Sequence, residues 1–240
     1  MSLSEIIYKR KSIRKYSHDF LDEKTLQNIQ NHFTKIKPLY GDINVKFNIT
    51  SKANMNGMNS LFSPHYIVAM SENKKGHLVN VGFMLQQMDL YLSSIGIGGC
   101  WLGMAHPKET PNNDDNFEFV IAFGFGKPDE SLYREIDEFN RKSLDKISNI
   151  SDSRLEVVRL APTAMNLQHY YFITEGSNII HAYCKKPGLL TLKQLAKMRE
   201  IDIGIALAHL YIANNERFKF FETPAPVEVK GHFYVGSIEI

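Results

Sequence analysis

Cysteine, tryptophan and long apolar runs are all scarce in this chain of 240 residues. Its only thiols, Cys100 and Cys184, stand far apart and without CxxC spacing. That argues against a disulfide framework or a thiolate metal site, so reduced thiols in a cytoplasm are expected. No stretch approaches the roughly 18 uninterrupted apolar residues that span a bilayer, and no membrane partner is expected. The opening Met1-Ser2-Leu3-Ser4-Glu5 reaches charge at once, unlike a signal peptide. A formal net charge of +2 is too small for a general nucleic-acid surface, so any basic function is local. Nine histidines are present, yet none has HExxH or HxH spacing, and no metal site is expected. GxSxG elbows and Walker loops are also missing.

Helical and strand periodicities alternate along the chain. Ser2-x-x-Glu5 reads as a capping box for a helix over residues 2–10, with Leu3, Ile6 and Ile7 inward. Asp22 caps a second helix carrying Leu26, Ile29 and Phe33. Residues 45–49 alternate like a half-buried strand, 54–63 read as a loop, and 66–70 as a buried strand. Residues 78–95 are apolar nearly all round, the mark of a buried helix. Residues 117–125 form a core strand ended by Gly126 and Pro128. The charged stretch 129–146 follows, a loop at first, with a helix opening near Ser143.

A second pass of the same pattern then begins. Ser153-x-x-Glu156 caps a helix that must stop before Pro162. Strands over 170–174 and 179–183 flank a turn, and 201–213 is another apolar helix. Its Asp202-Ile203-Gly204-Ile205 echoes Asn80-Val81-Gly82-Phe83, as His169-Tyr170-Tyr171-Phe172 echoes His65-Tyr66-Ile67-Val68. Glycine inside a helix costs roughly 1 kcal/mol relative to alanine, so close helix packing is expected at Gly82 and Gly204. The repeat predicts two half-modules, residues 1–148 and 149–240, packed as one compact unit.

Three segments carry the chemistry. Lys9, Arg10, Lys11, Arg14 and Lys15 put five cations into seven residues around Ser12 and Ile13. Such a run reads as a solvated face, as a nucleic-acid patch, or as a phosphate grip. Missing aromatic interleaving argues against the second. Ile13 favours the third, because it anchors the knot to a core while arginine forks and the Ser12 hydroxyl meet phosphate oxygens. Residues 96–103 form a glycine-dense turn, either a tight helix-to-strand connection or a place where backbone amides approach a flat ligand. It lacks GxGxxG spacing. Asn166 and Gln168, after Pro162, are loop residues or amides that serve the edge of a heterocycle. Trp101 is first a core residue. Together the segments suit a ligand with a dianionic phosphate and a flat, polar-edged ring, a flavin being the nearest match.

On these residues the chain resembles the nitroreductase family of FMN-dependent oxidoreductases. The family's Arg-Arg-Ser-Ile-Arg-x-Tyr/Phe segment is matched by Arg10 to Tyr16, and its Ala-Pro-Ser-Ala-x-Asn-x-Gln-Pro-Trp segment by Ala161 to Tyr170. Gly96 to Gly103 matches Gly-Leu-Gly-Thr-Cys-Trp-Leu-Gly, and Phe123 to Pro128 and Arg141 to Leu144 resemble two later motifs. His169-Tyr170 replaces Pro-Trp, and the Ala-Pro segment follows the whole first module instead of coming soon after the arginine knot.

The resemblance implies an α+β fold with a central mixed or antiparallel sheet flanked by helices. The shifted motif resembles a branch in which one chain holds two unequal half-modules, an internal pseudo-dimer that is monomeric or associates as a homodimer. Arg10, Lys11, Ser12 and Arg14 are implied to hold the FMN phosphate and pyrimidine edge, helped by Arg141 or Lys142. Cys100, Trp101, Leu102 and Gly103 belong to the segment that presents backbone amides near flavin N5. Pro162, Thr163, Ala164, Asn166 and Gln168 close the site from the second module, so the two motifs would line one pocket. No side chain need act as nucleophile. NAD(P)H is the implied reductant and a nitro compound, quinone or similar small molecule the acceptor; a degenerate flavin binder without turnover is the alternative.

Overall fold

The N-terminal capping box forms as its residues require: Glu5 N–H donates to Ser2 Oγ at 3.3 Å and Ser2 N–H to Glu5 Oε2 at 2.7 Å. The helix it opens, α1 (Leu3–Ile7), stops three residues short of the expected end, with Ile6 and Ile7 fully buried. This computed structural model describes residues 1–57, 63–109, 116–189, 191–224 and 226–240. It divides into two compact units. One comprises Met1–His77 and Gln87–Ile136, the other Leu78–Gln86 and Asp137–Ile240.

In the first unit, Asp22 accepts from Thr25 N–H at 2.8 Å and caps α2 (Glu23–His32). Four strands follow in the sheet: β1 (Val45–Ser51), β3 (His65–Glu72), β4 (Gly98–Leu102) and β6 (Phe117–Gly126). Their order is β1-β3-β6-β4, every pair antiparallel. Tyr66 to Met70 on β3 are buried, as their continuous apolar run requires, whereas β1 is half-buried throughout. The expected loop over 54–63 is corrected in part. Met55–Gly57 forms β2, which pairs with β5 (Ala105–Pro107), while 58–62 lie outside the described residues. The turn read at 96–103 is likewise mostly strand, since residues 98–102 are β4.

The second unit has its own antiparallel sheet, so the expected sheet is divided in two. It contains β7 (Tyr170–Glu175), β8 (Ile179–Lys185), β9 (Lys219–Phe221) and β10 (His232–Glu239), in the order β7-β8-β10-β9. β10 breaks its register with β8 between Tyr234 and Gly236. A 3-10 turn over Ser153–Leu155 leads into α4 (Glu156–Arg159). Its cap is Asp152, not Ser153, because the longer carboxylate reaches Arg154 N–H at 2.9 Å. α5 (Lys193–Asn214) begins eight residues before the expected start.

One helix, α3 (His77–Ser94), is divided between the units. Its opening turns pack on α5 within the second unit, and both interior glycines are needed there. A Cβ at Gly82 would lie 2.2 Å from the Ile201 carbonyl oxygen, and one at Gly204 2.1 Å from that of Val79. Among the described residues no helix is long and apolar enough to cross a membrane.

Candidate functional site

The cationic knot is held on the first unit's sheet. Ile13 N–H donates to Gly99 O at 2.9 Å, and the fully buried Ile13 side chain covers Gly98, where a Cβ would lie 2.6 Å from it. Gly99 in turn admits the Phe123 ring, 2.3 Å from a built Cβ. These two glycines therefore serve packing within the protein. Tyr16 closes the knot by donating its hydroxyl to Ile13 O at 2.7 Å.

The cations of the knot differ sharply in what they touch. Arg10 is 2% exposed, and its Nε–H donates to Asp89 Oδ2 at 2.6 Å, with Asp89 itself fully buried on α3. Its Nη2 donates to Ser12 Oγ at 3.1 Å. Lys11 meets Glu130 Oε2 at 3.2 Å, while Glu130 Oε1 accepts the amides of Arg14 and Lys15 at 2.9 and 3.2 Å. The Arg14 amide, and then Lys11, hold the Glu130 carboxyl below its usual range. The side chains of Arg14 and Lys15 are exposed, and among the described residues neither has an ion-pair partner. Cys100 lies beside them on β4. Burial pushes its thiol up, the Arg14 and Arg10 charges pulling against that. Trp101 packs edge-on to Phe123 at 5.6 Å, Leu102 ends β4, and Gly103 opens the following turn.

In the second unit Pro162 and Thr163 lead into a 3-10 turn over Ala164–Asn166. Met165, Asn166 and Gln168 have φ of 52°, 57° and 46°. Among the described residues they are the only non-glycine residues in the left-handed region, each at a cost of order 1–3 kcal/mol. The run is pinned from several sides. Ala164 N–H donates to Asp202 Oδ1 and Oδ2 at 2.9 and 3.1 Å, and Gln168 N–H to Thr163 Oγ1 at 3.2 Å. Arg141 Nη1 donates to Asn166 Oδ1, and Lys142 Nζ to Leu167 O at 2.7 Å. Lys142 N–H donates to Gln168 Oε1 at 3.0 Å. Gln168 is 3% exposed, so its amide braces this loop, whereas Asn166 and Met165 are exposed.

The structure thus gathers Arg10, Lys11, Ser12, Arg14 and Cys100 in one unit, and Arg141, Lys142, Thr163, Ala164, Asn166 and Gln168 in the other. Three acids escaped sequence reasoning: Asp89, Glu130 and Asp202. Asp89 is the lone acid of the apolar helix α3, and Asp202 sits within the apolar run Ile201–Leu207 of α5, a pattern that announces a buried partner without naming it. The donor set fits a phosphate monoester. Ser12 offers a hydroxyl and Arg14 and Lys15 offer charges that no carboxylate of the described residues neutralises, whereas Arg10 is already engaged.

Comparison with solved structures gives the fold. A "putative nitroreductase" from Thermotoga maritima MSB8 matches at 21% identity with a TM-score of 0.67, over 99% of this chain and 92% of that one. A nitroreductase family protein from Clostridium novyi NT has 22% identity and a TM-score of 0.46, over 57% of this chain and 91% of that one. An FMN-dependent nitroreductase from Clostridium difficile has 17% identity and a TM-score of 0.43, over 55% and 92%. No curated protein matches the chain. The family model described as "Putative TM nitroreductase" matches residues 2–214. With most of its length so matched and with that fold, this chain belongs to the TM nitroreductase family.

Proposed function

We propose that the protein is an FMN-dependent oxidoreductase using NADH or NADPH to reduce a nitro compound, quinone or similar small acceptor. FMN, if held by these residues, would supply the redox chemistry that no side chain of the protein provides. The observation that carries the reading is the state of Arg14 and Ser12: a free guanidinium and a hydroxyl, fixed in place by Ile13 on β4.

In this reading Arg14, Lys15 and Ser12 hold the phosphate, and Lys11 shares its charge between that group and Glu130. Arg10 acts one step back, orienting the Ser12 hydroxyl from its seat on Asp89. Cys100 and Trp101 form part of the wall, and Leu102 and Gly103 offer backbone amides to the ring. Pro162, Thr163, Ala164 and Asn166 offer a second segment suited to the edge of a flat ring, with Arg141, Lys142 and Gln168 keeping its shape.

A specific observation favours the alternative, a flavin binder without turnover. Arg10, which opens the motif, is buried in an ion pair with Asp89 and so adds no direct charge to the phosphate grip. Titration with FMN, FAD and riboflavin, followed by addition of NADH or NADPH, separates the readings. Preference for FMN with bleaching of the flavin colour supports the oxidoreductase. Binding without bleaching selects the alternative, and equal affinity for riboflavin and FMN removes the phosphate grip.

A further inference from the structure

Asp202 stands in the middle of α5, flanked by Ile201, Ile203, Gly204 and Ile205, and is 4% exposed. A carboxyl in such surroundings is costly unless it is paired or well hydrogen-bonded. Yet both of its oxygens converge on one donor, the Ala164 amide. The titratable groups around it are Tyr170 on β7, Cys184 on β8, and Arg199 and Glu200 just before it on α5. Among the described residues none of these bonds to Asp202; Tyr170 donates instead to Val158 O, and Cys184 to Lys185 O. For the helix alone, leucine or asparagine would serve at least as well. The amide it holds begins the only left-handed non-glycine run among the described residues.

We propose that Asp202 is the positioning residue of the Pro162–Gln168 segment, clamping the Ala164 amide so that the strained run keeps the shape its ligand requires. The ligand part of this assignment rests on reading the segment as flavin-binding. The clamp is adjustable. Burial pushes the Asp202 carboxyl up to about 8, the Ala164 N–H pulling against it. A carboxylate makes a charge-assisted bond to that amide, roughly twice as strong as the bond a neutral carboxyl makes. The segment therefore tightens as Asp202 ionises.

The test is amide hydrogen exchange at Ala164 in the full, flavin-free chain, with the Phe172 amide, which donates to Ile147 O at 2.8 Å, as the reference for general opening of the second unit. Protection relative to Phe172 should rise about tenfold between about pH 6 and pH 9 in the unaltered protein, the scale of one charge-assisted bond. Asp202→Asn keeps an acceptor without a charge, so protection should persist with a flat pH profile. Asp202→Leu should lose protection at Ala164 at least tenfold while Phe172 stays protected; should it not fold, the flat profile of Asp202→Asn decides. FMN affinity, measured alongside, should strengthen with pH in the unaltered protein and stay level in Asp202→Asn. Equal protection with equal pH dependence in the unaltered protein and Asp202→Asn overturns the clamp. The expected exchange pattern in a protein that binds no FMN upholds the clamp and overturns the flavin reading.

Discussion

Gly82 stands so close to Ile201 that any side chain there would strike the Ile201 carbonyl, and Gly204 meets Val79 in the same way. The contact is backbone against backbone, so neither neighbour can swing aside. Gly82→Ala and Gly204→Ala should each destabilise the chain by about 1–3 kcal/mol, the cost of overpacking, despite the helix propensity that alanine adds. Urea unfolding measures this. A gain in stability from either substitution would disprove the packing argument.

Those two glycines were legible as a pair because a glycine within an apolar helical pattern demands a reason, and the reason proved to be the one expected. The caps Ser2 and Asp22 and the buried strand at Tyr66–Met70 were legible for the same kind of cause: local chemistry decides them. β10 was not read at all, since its place between β8 and β9 follows from pairing partners far away in sequence. The start of α5 was missed because Lys193 to Arg199 is polar and shows no apolar stripe. At the site the cationic knot was visible as a cluster. That Arg10 turns inward while Arg14 stays exposed depends on Asp89, seventy-nine residues away.

His169 occupies a position where the family pattern has proline, and it lies among cations. Burial, then the charges of Arg199, Lys185, Lys142 and His232, lower its pKa from 6.5 to about 4. The unfolded chain therefore binds a proton that the folded chain refuses between those two values. His169 has no effect above about pH 6.5, and its own contribution to stability should fall as the pH drops from there towards 4. The slope has a ceiling of about 1.4 kcal/mol per pH unit and should run below it, because the ring is partly solvated. Asp202 acts in the same window with the opposite sign, because its carboxyl, pushed up to about 8, is protonated in the folded chain and ionised in the unfolded one. The His169 contribution is therefore read as a difference: the stability of the unaltered protein relative to His169→Gln should fall between pH 6.5 and pH 4, and a constant difference would assign the acid sensitivity to other groups.

Arg14→Ala should weaken FMN binding by about 1.5–3 kcal/mol, the range for hydrogen bonds to a charged group, and leave stability in urea nearly untouched. Its side chain is exposed and unpaired among the described residues, so the fold loses little with it. Fluorescence titration of FMN checks the first expectation, and the binding endpoint gives the stoichiometry. One FMN per chain in a monomeric sample is the outcome expected of a duplicated chain. FMN bound only by a dimer, again at one per chain because a two-fold interface makes two equivalent sites, would support the ordinary two-subunit arrangement.

Arg10 should behave in the opposite way. Its guanidinium and the Asp89 carboxylate are both buried, and removing the guanidinium takes away the counter-charge of a buried carboxylate. Arg10→Ala should therefore cost about 3–5 kcal/mol of stability, far more than Arg14→Ala. The pair itself is dispensable to folding, since replacing both partners by apolar residues of similar volume is often neutral. The double variant Arg10→Met with Asp89→Leu should accordingly regain most of the lost stability in urea. Its FMN affinity should remain weakened, because Ser12 no longer has the Nη2 donor that orients its hydroxyl. This separation of stability from binding distinguishes a brace from a direct ligand. If Arg10→Ala left the unfolding midpoint unchanged while abolishing FMN binding, Arg10 would be a phosphate ligand of the ordinary kind.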